Sequence, residues 1–123
     1  MKVLLSIKPQ FAELIFSGRK KYEFRKTIFT RRDVDKVIVY ASYPICKVVG
    51  EFEIDGIIVD NPYSLWKKTK TYAGISREFF FSYFSNKKFG YAICIKNYYI
   101  YKAPLCIQSF FSVKPPQSFA YVQ

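Results

Sequence analysis

The sequence predicts a small α+β domain, a barrel of short strands with a helix plugging one side. Three observations point there. A length of 123 residues suits one domain spanning 1–123. Half the residues are hydrophobic, enough for a real core. Apolar runs of strand length and stretches of helical spacing follow in the order strand, helix, strands, two small helices, strands. No run approaches the roughly 18–20 apolar residues of a membrane span. The apolar start Val3–Ile7 is too short for a signal peptide and lacks a small-residue cleavage site. A cytoplasmic domain with no membrane partner is expected.

Val3–Ile7 has the length of a strand. Pro9 fits the first position of a helix, with Phe11, Ala12, Leu14, Ile15 and Phe16 as its apolar stripe and Ser17-Gly18 as its close. Lys20–Lys26 alternates aromatics at Tyr22 and Phe24, and Lys36–Ser42 is a clear strand. Cys46–Asp60 is mostly strand-like, stopped by Asn61-Pro62. Helical spacing runs over 64–84, broken at Ala73–Ser76, with Ser76 as a helix cap. Phe89–Tyr101 returns to strand with a hairpin turn at Asn97, and Pro104 and Pro115-Pro116 punctuate a last short strand and tail.

Charge and absences narrow the chemistry. Twenty Lys and Arg against nine Asp and Glu give +11. With no histidine, mechanisms that need an imidazole base are excluded. Cys46, Cys94 and Cys106 form no C-x-x-C pair and read as plain buried thiols, so no metal and no cofactor is expected.

The densest signal is Gly18–Arg25, Gly-Arg-Lys-Lys-Tyr-Glu-Phe-Arg. Strand alternation puts Lys21, Glu23 and Arg25 on one face and Tyr22 and Phe24 on the core face. Glu23, between two cations, is expected to stay ionised and to orient Arg25 through a charge-assisted hydrogen bond. An oriented guanidinium suits phosphate or a base edge. On residue types alone, the run also reads as an edge strand whose solvated charges deter aggregation. Alternation does not say which way Lys20 points.

Leu4–Arg25 resembles the opening of an ASCH domain (activating signal cointegrator homology), a branch of the PUA-like superfamily. That family carries a helix followed by G-x-K-x-x-E-x-R, here Gly18, Lys20, Glu23 and Arg25. Val37–Ser42, Val48–Ile54, Gly90–Asn97 and Pro115–Val122 are similar to small single-domain prokaryotic members. The resemblance implies a small PUA-like β-barrel with flanking helices, a cleft beside the first helix lined by the motif, and RNA or a nucleotide as partner. Some similar members hydrolyse the acetyl amide of acetylated cytidine with a Lys, Thr and Glu set. The Lys corresponds to Lys20, but the Thr position holds Glu23, which is no hydroxyl nucleophile. Other members are linked to ribonuclease activity.

Eight basic residues against three acids between Arg19 and Lys36 create a local positive potential suited to a polyanion. Tyr43, Trp66, Tyr72, Tyr98, Tyr99 and Tyr101 lie in polar surroundings where a ring face could stack on a base, although most such rings pack. Lys67, Lys68 and Lys70 serve solubility, and Glu51, Glu53 and Asp55 read as the solvent face of a strand. The leading expectation is an RNA-binding module with Lys8, Lys20, Glu23, Arg25 and Ser42 around its pocket. The alternative is an enzyme on RNA or a modified nucleoside, with Lys20 activating water or a hydroxyl and Glu23 as acid–base partner. A transcriptional adaptor comes third, by analogy alone.

Overall fold

The computed structural model describes residues 1–109 and 118–122. The elements are β1 (Lys2–Ile7), α1 (Pro9–Phe16), β2 (Tyr22–Arg25), β3 (Lys36–Ala41), β4 (Lys47–Asp60), α2 (Pro62–Thr69), α3 (Arg77–Tyr83), β5 (Gly90–Leu105) and β6 (Phe119–Val122). Short 3-10 turns follow α2 and β5. The six strands form one sheet in the order β2-β5-β4-β3-β1-β6. The fold is therefore α+β. Among the described residues, no ladder joins the edge strands β2 and β6, so the sheet is not closed into the expected barrel.

β1 and β3 are parallel neighbours, with Val3 opposite Val37 and Leu5 opposite Val39. Parallel partners need a crossover, and the chain spends α1 and β2 on it. The crossover leaves β1 at Lys8, whose carbonyl accepts the first turn of α1 from Phe11 and Ala12. Pro9 opens that helix, where its missing N–H is no loss. Gly18, with φ +80°, ends it in the left-handed region that favours glycine. Arg19 N–H and Lys20 N–H then both donate to the Leu14 carbonyl, at 3.0 and 3.1 Å. That tight exit turns Lys20 inward.

The core falls into three clusters. Val3, Leu5, Ile7, Ile15, Val37, Val39 and Phe52 pack beneath α1. Phe24, Leu65, Ala73, Phe80 and Phe84 pack around α2 and α3. Leu4, Ile38, Tyr40, Val48 and Ile107 occupy the third. Each fully buried Val, Leu, Ile or Phe contributes about 1.5–3 kcal/mol, so this packing fixes α3 against β2. Ser76 caps α3 as expected, its Oγ accepting from Phe79 N–H at 3.0 Å.

Three expectations are corrected. Asn97 makes no hairpin turn: β5 runs unbroken from Gly90 to Leu105 against β4. Its side-chain amide instead donates to Glu53 at 3.1 Å, and register shifts absorb the irregularity. Pro104 lies inside that strand, one residue from its end, rather than before a new one. The cysteines are not plain buried thiols either. Cys46 and Cys106 are exposed and Cys94 is half-buried, the first two because they flank strands rather than sit within them. The expected Pro115-Pro116 punctuation lies outside the described residues.

Candidate functional site

The motif residues meet at the C-terminal end of β1, beside α1. A cavity of about 170 Å³ is lined there by Lys20, Glu23 and Arg25, with Lys8 at its edge. Its other walls are Ser6 and Ile7 of β1, Phe11 of α1, Phe24 of β2, and Ile75, Phe79 and Tyr83 from the α3 region. Three charged groups thus share a hollow faced mainly by hydrocarbon.

Lys20, not Lys21, joins Glu23. Lys20 is only 2% exposed, and its Nζ donates to the Ala73 carbonyl at 2.7 Å. The same ammonium lies 4.7 Å from the Phe24 ring centroid and 5.4 Å from that of Phe11. Ring faces carry partial negative charge and so replace part of the lost hydration. Even so, burial lowers the Lys20 pKa to about 8 against the opposing pull of Glu23. Lys21 faces outward, with its Nζ 4.1 Å from the exposed Tyr72 ring.

The aliphatic stem of Lys20 runs against Gly74. A Cβ on Gly74 would stand 2.6 Å from both Cβ and Cγ of Lys20, and φ there is +70°. Only glycine meets both demands without strain. Ala73–Ser76, which reads as a mere break between helices, is therefore the seat of the lysine.

Glu23 is 6% exposed and holds Arg25, whose Nη1 donates to a Glu23 carboxylate oxygen at 3.1 Å. The expected orientation is present. Opposing influences act on the Glu23 carboxyl. Burial pushes its carboxyl pKa up, opposed by the Arg25 and Lys20 charges and by the Arg25 hydrogen bond. Arg25 also donates from Nη1 to the Ser6 carbonyl at 3.2 Å. From Nη2 it donates to Ser118, to the carbonyl at 2.9 Å and to Oγ at 3.3 Å. Its fork therefore spans β1, β2 and the entry to β6.

Lys8 is exposed at the cavity edge, its Nζ 5.8 Å from the Phe79 centroid. Ser42 lies elsewhere. It opens the turn after β3, donating its backbone N–H to the Ile7 carbonyl, and is not among the cavity's lining residues. The wall residues Phe11, Ile75, Phe79 and Tyr83 escape the motif because they reach the site through packing. The four-residue spacing of Phe79 and Tyr83 is the sequence signal that could have shown a shared helix face. Of the rings expected in polar surroundings, Tyr43, Tyr72, Tyr98 and Tyr99 are exposed, while Trp66 and Tyr101 are half-buried. None of the six lines this cavity. Among the described residues, no three His, Cys, Asp or Glu side chains gather as metal ligands. No helix there is long and apolar enough to cross a membrane.

A family model, the ASCH domain, matches residues 5–103, which span the motif and most of the sheet. The chain belongs to the ASCH domain family. Over 122 residues it is 33% identical to ATP synthase subunit alpha of Ureaplasma parvum, covering 98% of this chain but 15% of that one. It is 29% identical to large ribosomal subunit protein uL22 of the same species, covering 39% of it. The chain thus spans well under half the length of these relatives. An ASCH domain-containing ribonuclease of Zymomonas mobilis is 24% identical over 99% of this chain and 84% of its own. The crystal structure of ASCH from Zymomonas mobilis superposes with a TM-score of 0.90 at 24% identity, covering 99% of this chain and 87% of that one. The N-terminal domain of Staphylothermus marinus McrB reaches a TM-score of 0.54 at 14% identity, over 88% and 77% of the two chains. Both structural likenesses show a shared fold alone.

Proposed function

We propose that residues 1–123 act as one cytoplasmic RNA-binding unit that holds a single nucleobase in the cavity between α1, β2 and α3. The cavity itself carries this reading. At about 170 Å³ it is smaller than the ~300–1,000 Å³ pockets of drug-sized ligands. It suits one planar ring system, with Phe11, Phe24 and Phe79 against the ring and Lys20 and Glu23 at its polar edge. Lys20 donates to a ring acceptor, and Glu23 accepts from an amino group or donates when protonated. Arg25 holds Glu23 in place and, through Ser6 and Ser118, ties β2 to β6. On this reading its side chain completes the small PUA-like barrel that the ladders leave open.

Binding of an RNA oligonucleotide, followed by fluorescence anisotropy, tests the proposal. Lys20→Met and Glu23→Gln, checked for folding by circular dichroism, should each weaken binding at least about tenfold, the loss of one good buried polar contact. A Lys20→Met protein that binds RNA like the wild type would remove the reading.

A second reading has its own support, the lowered Lys20 pKa beside a carboxyl group together with the relative named a ribonuclease. A group titrating near neutrality is fit for general acid–base work. Here Glu23 would take the proton of an RNA 2′-hydroxyl as its oxygen attacks the adjacent phosphorus. Lys20 would protonate the departing 5′-oxygen, leaving a cyclic phosphate. Incubation with end-labelled RNA, and in parallel with acetylated cytidine, beside a Lys20→Ala control tests for turnover. Cleavage or deacetylation that the control retains, or none at all, removes the catalytic reading and leaves the binding one.

A further inference from the structure

The cavity takes one base, and its mouth carries a second pattern. Phe79 and Tyr83 are four residues apart on α3, hence neighbours on one helix face, and both line the cavity. Each has a lysine over its ring from a different element. Lys8 Nζ, from the start of α1, stands 5.8 Å from the Phe79 centroid. Lys26 Nζ, just past β2, stands 4.7 Å from that of Tyr83. Both lysines are exposed, and Phe79 keeps 40% of its surface open. Among the described residues, neither ammonium is paired with a carboxylate, whereas Arg31, Lys36 and Lys68 each are.

On the binding reading the inserted base fills the cavity and leaves no place there for a phosphate. The Glu23 carboxyl group repels one when ionised, and the Arg25 fork is taken by Ser6, Glu23 and Ser118. Phosphates of a bound strand must find their cations outside. We infer that the rim is a track for single-stranded RNA, in which phosphates flanking the inserted base rest on Lys8 and Lys26 and a neighbouring base stacks on Phe79. Stacking on a ring tolerates any base, and a lysine meets phosphate as a point charge. The track therefore supplies affinity without sequence preference, and the cavity supplies the choice of base. This inference rests on the cavity reading.

The test uses a labelled RNA hexanucleotide, with the four free nucleosides as competitors, between about 50 and 200 mM salt. The hexanucleotide should bind more tightly than any nucleoside, with affinity falling as salt rises. Lys8→Ala and Lys26→Ala should each take about 0.7 off the slope of log affinity against log salt, the value for one phosphate on a single strand. Lys67→Ala, on α2 and outside the cavity lining, should leave the slope unchanged. Phe79→Ala should weaken the hexanucleotide about fivefold or more. Wild-type slopes in both rim-lysine variants, or a hexanucleotide bound no better than a nucleoside, would overturn the track. A lysine-dependent slope in a protein indifferent to Lys20→Met would keep the track and overturn the cavity reading instead.

Discussion

Two hollows of nearly equal size carry similar chemistry at different places on the sheet. The cavity at the end of β1 measures about 170 Å³ and holds Lys20, Glu23, Arg25 and aromatic rings. The other, about 160 Å³, lies between β3, β4 and β5 and holds Lys36, Glu51, Glu53, Tyr98 and Tyr99. Residue types do not separate them, but surroundings do. In the first, the Glu23 and Arg25 side chains are 8% and 13% exposed, and Lys20 is shut behind Phe11 and Phe24. In the second, Lys36 and Glu51 stand 3.6 Å apart with 37% and 21% exposure, in reach of screening water. Burial turns an ordinary set of charges into one with displaced pKa values and directed hydrogen bonds. The β3–β5 hollow keeps the character of a solvated surface.

Removing one partner from each hollow should break the symmetry most sharply. Arg25→Ala leaves Glu23 buried without its guanidinium and cuts the tie to Ser118, so urea unfolding should report a loss of about 3 kcal/mol or more. A loss below 1 kcal/mol would mean that water reaches the pair freely. Gly74→Ala comes next. It forces a side chain into a positive-φ position and against the stem of Lys20, so about 1–3 kcal/mol of stability and most RNA binding should go together. Binding that survives intact would detach Lys20 from the ligand.

The pH dependence of stability sharpens the contrast. Lys20 is depressed to about 8 in the folded chain but ordinary, near 10.5, when unfolded. Below about 8 both states hold the proton and the burial penalty stands in full. Between about 8 and 10.5 the unfolded chain binds more protons, so this group makes stability rise with pH. Glu23, raised on folding, acts with the opposite slope in its own acid window above 4.5, where the folded state holds the extra proton. Urea midpoints of the wild type minus those of Lys20→Met should therefore climb from pH 8 to 10. Lys36→Ala should be the smallest effect, about 0–1 kcal/mol and reduced further by salt.

Much of the architecture could be read ahead of the structure, because short elements announce themselves locally. Pro9 and Gly18 bracket α1, Ser76 caps α3, and alternation at Tyr22–Arg25 places Phe24 in the core. The motif also assigned Glu23 to orient Arg25. Other features were hidden for physical reasons. Lys20 precedes the regular part of β2, so its inward course depends on the helix exit at Gly18 and on the space left by Gly74, 54 residues further on. Ser118 reaches Arg25 across 93 positions of sequence. Cys46 and Cys106 have apolar neighbours in sequence, yet the turns that carry them face water. Asn97 has the chemistry of a turn, but Glu53 on the adjacent strand holds it in an extended one.

The central claim, that burial in one cavity sets Lys20 apart and readies it for a nucleic-acid ligand, can be tested in a single NMR titration. Lysine side chains labelled with ¹³C would be followed against pH, with and without the RNA hexanucleotide. The account predicts a resonance titrating near pH 8, absent from Lys20→Met and shifted by RNA. A Lys20 signal that titrates near the ordinary 10.5 and ignores RNA would contradict it.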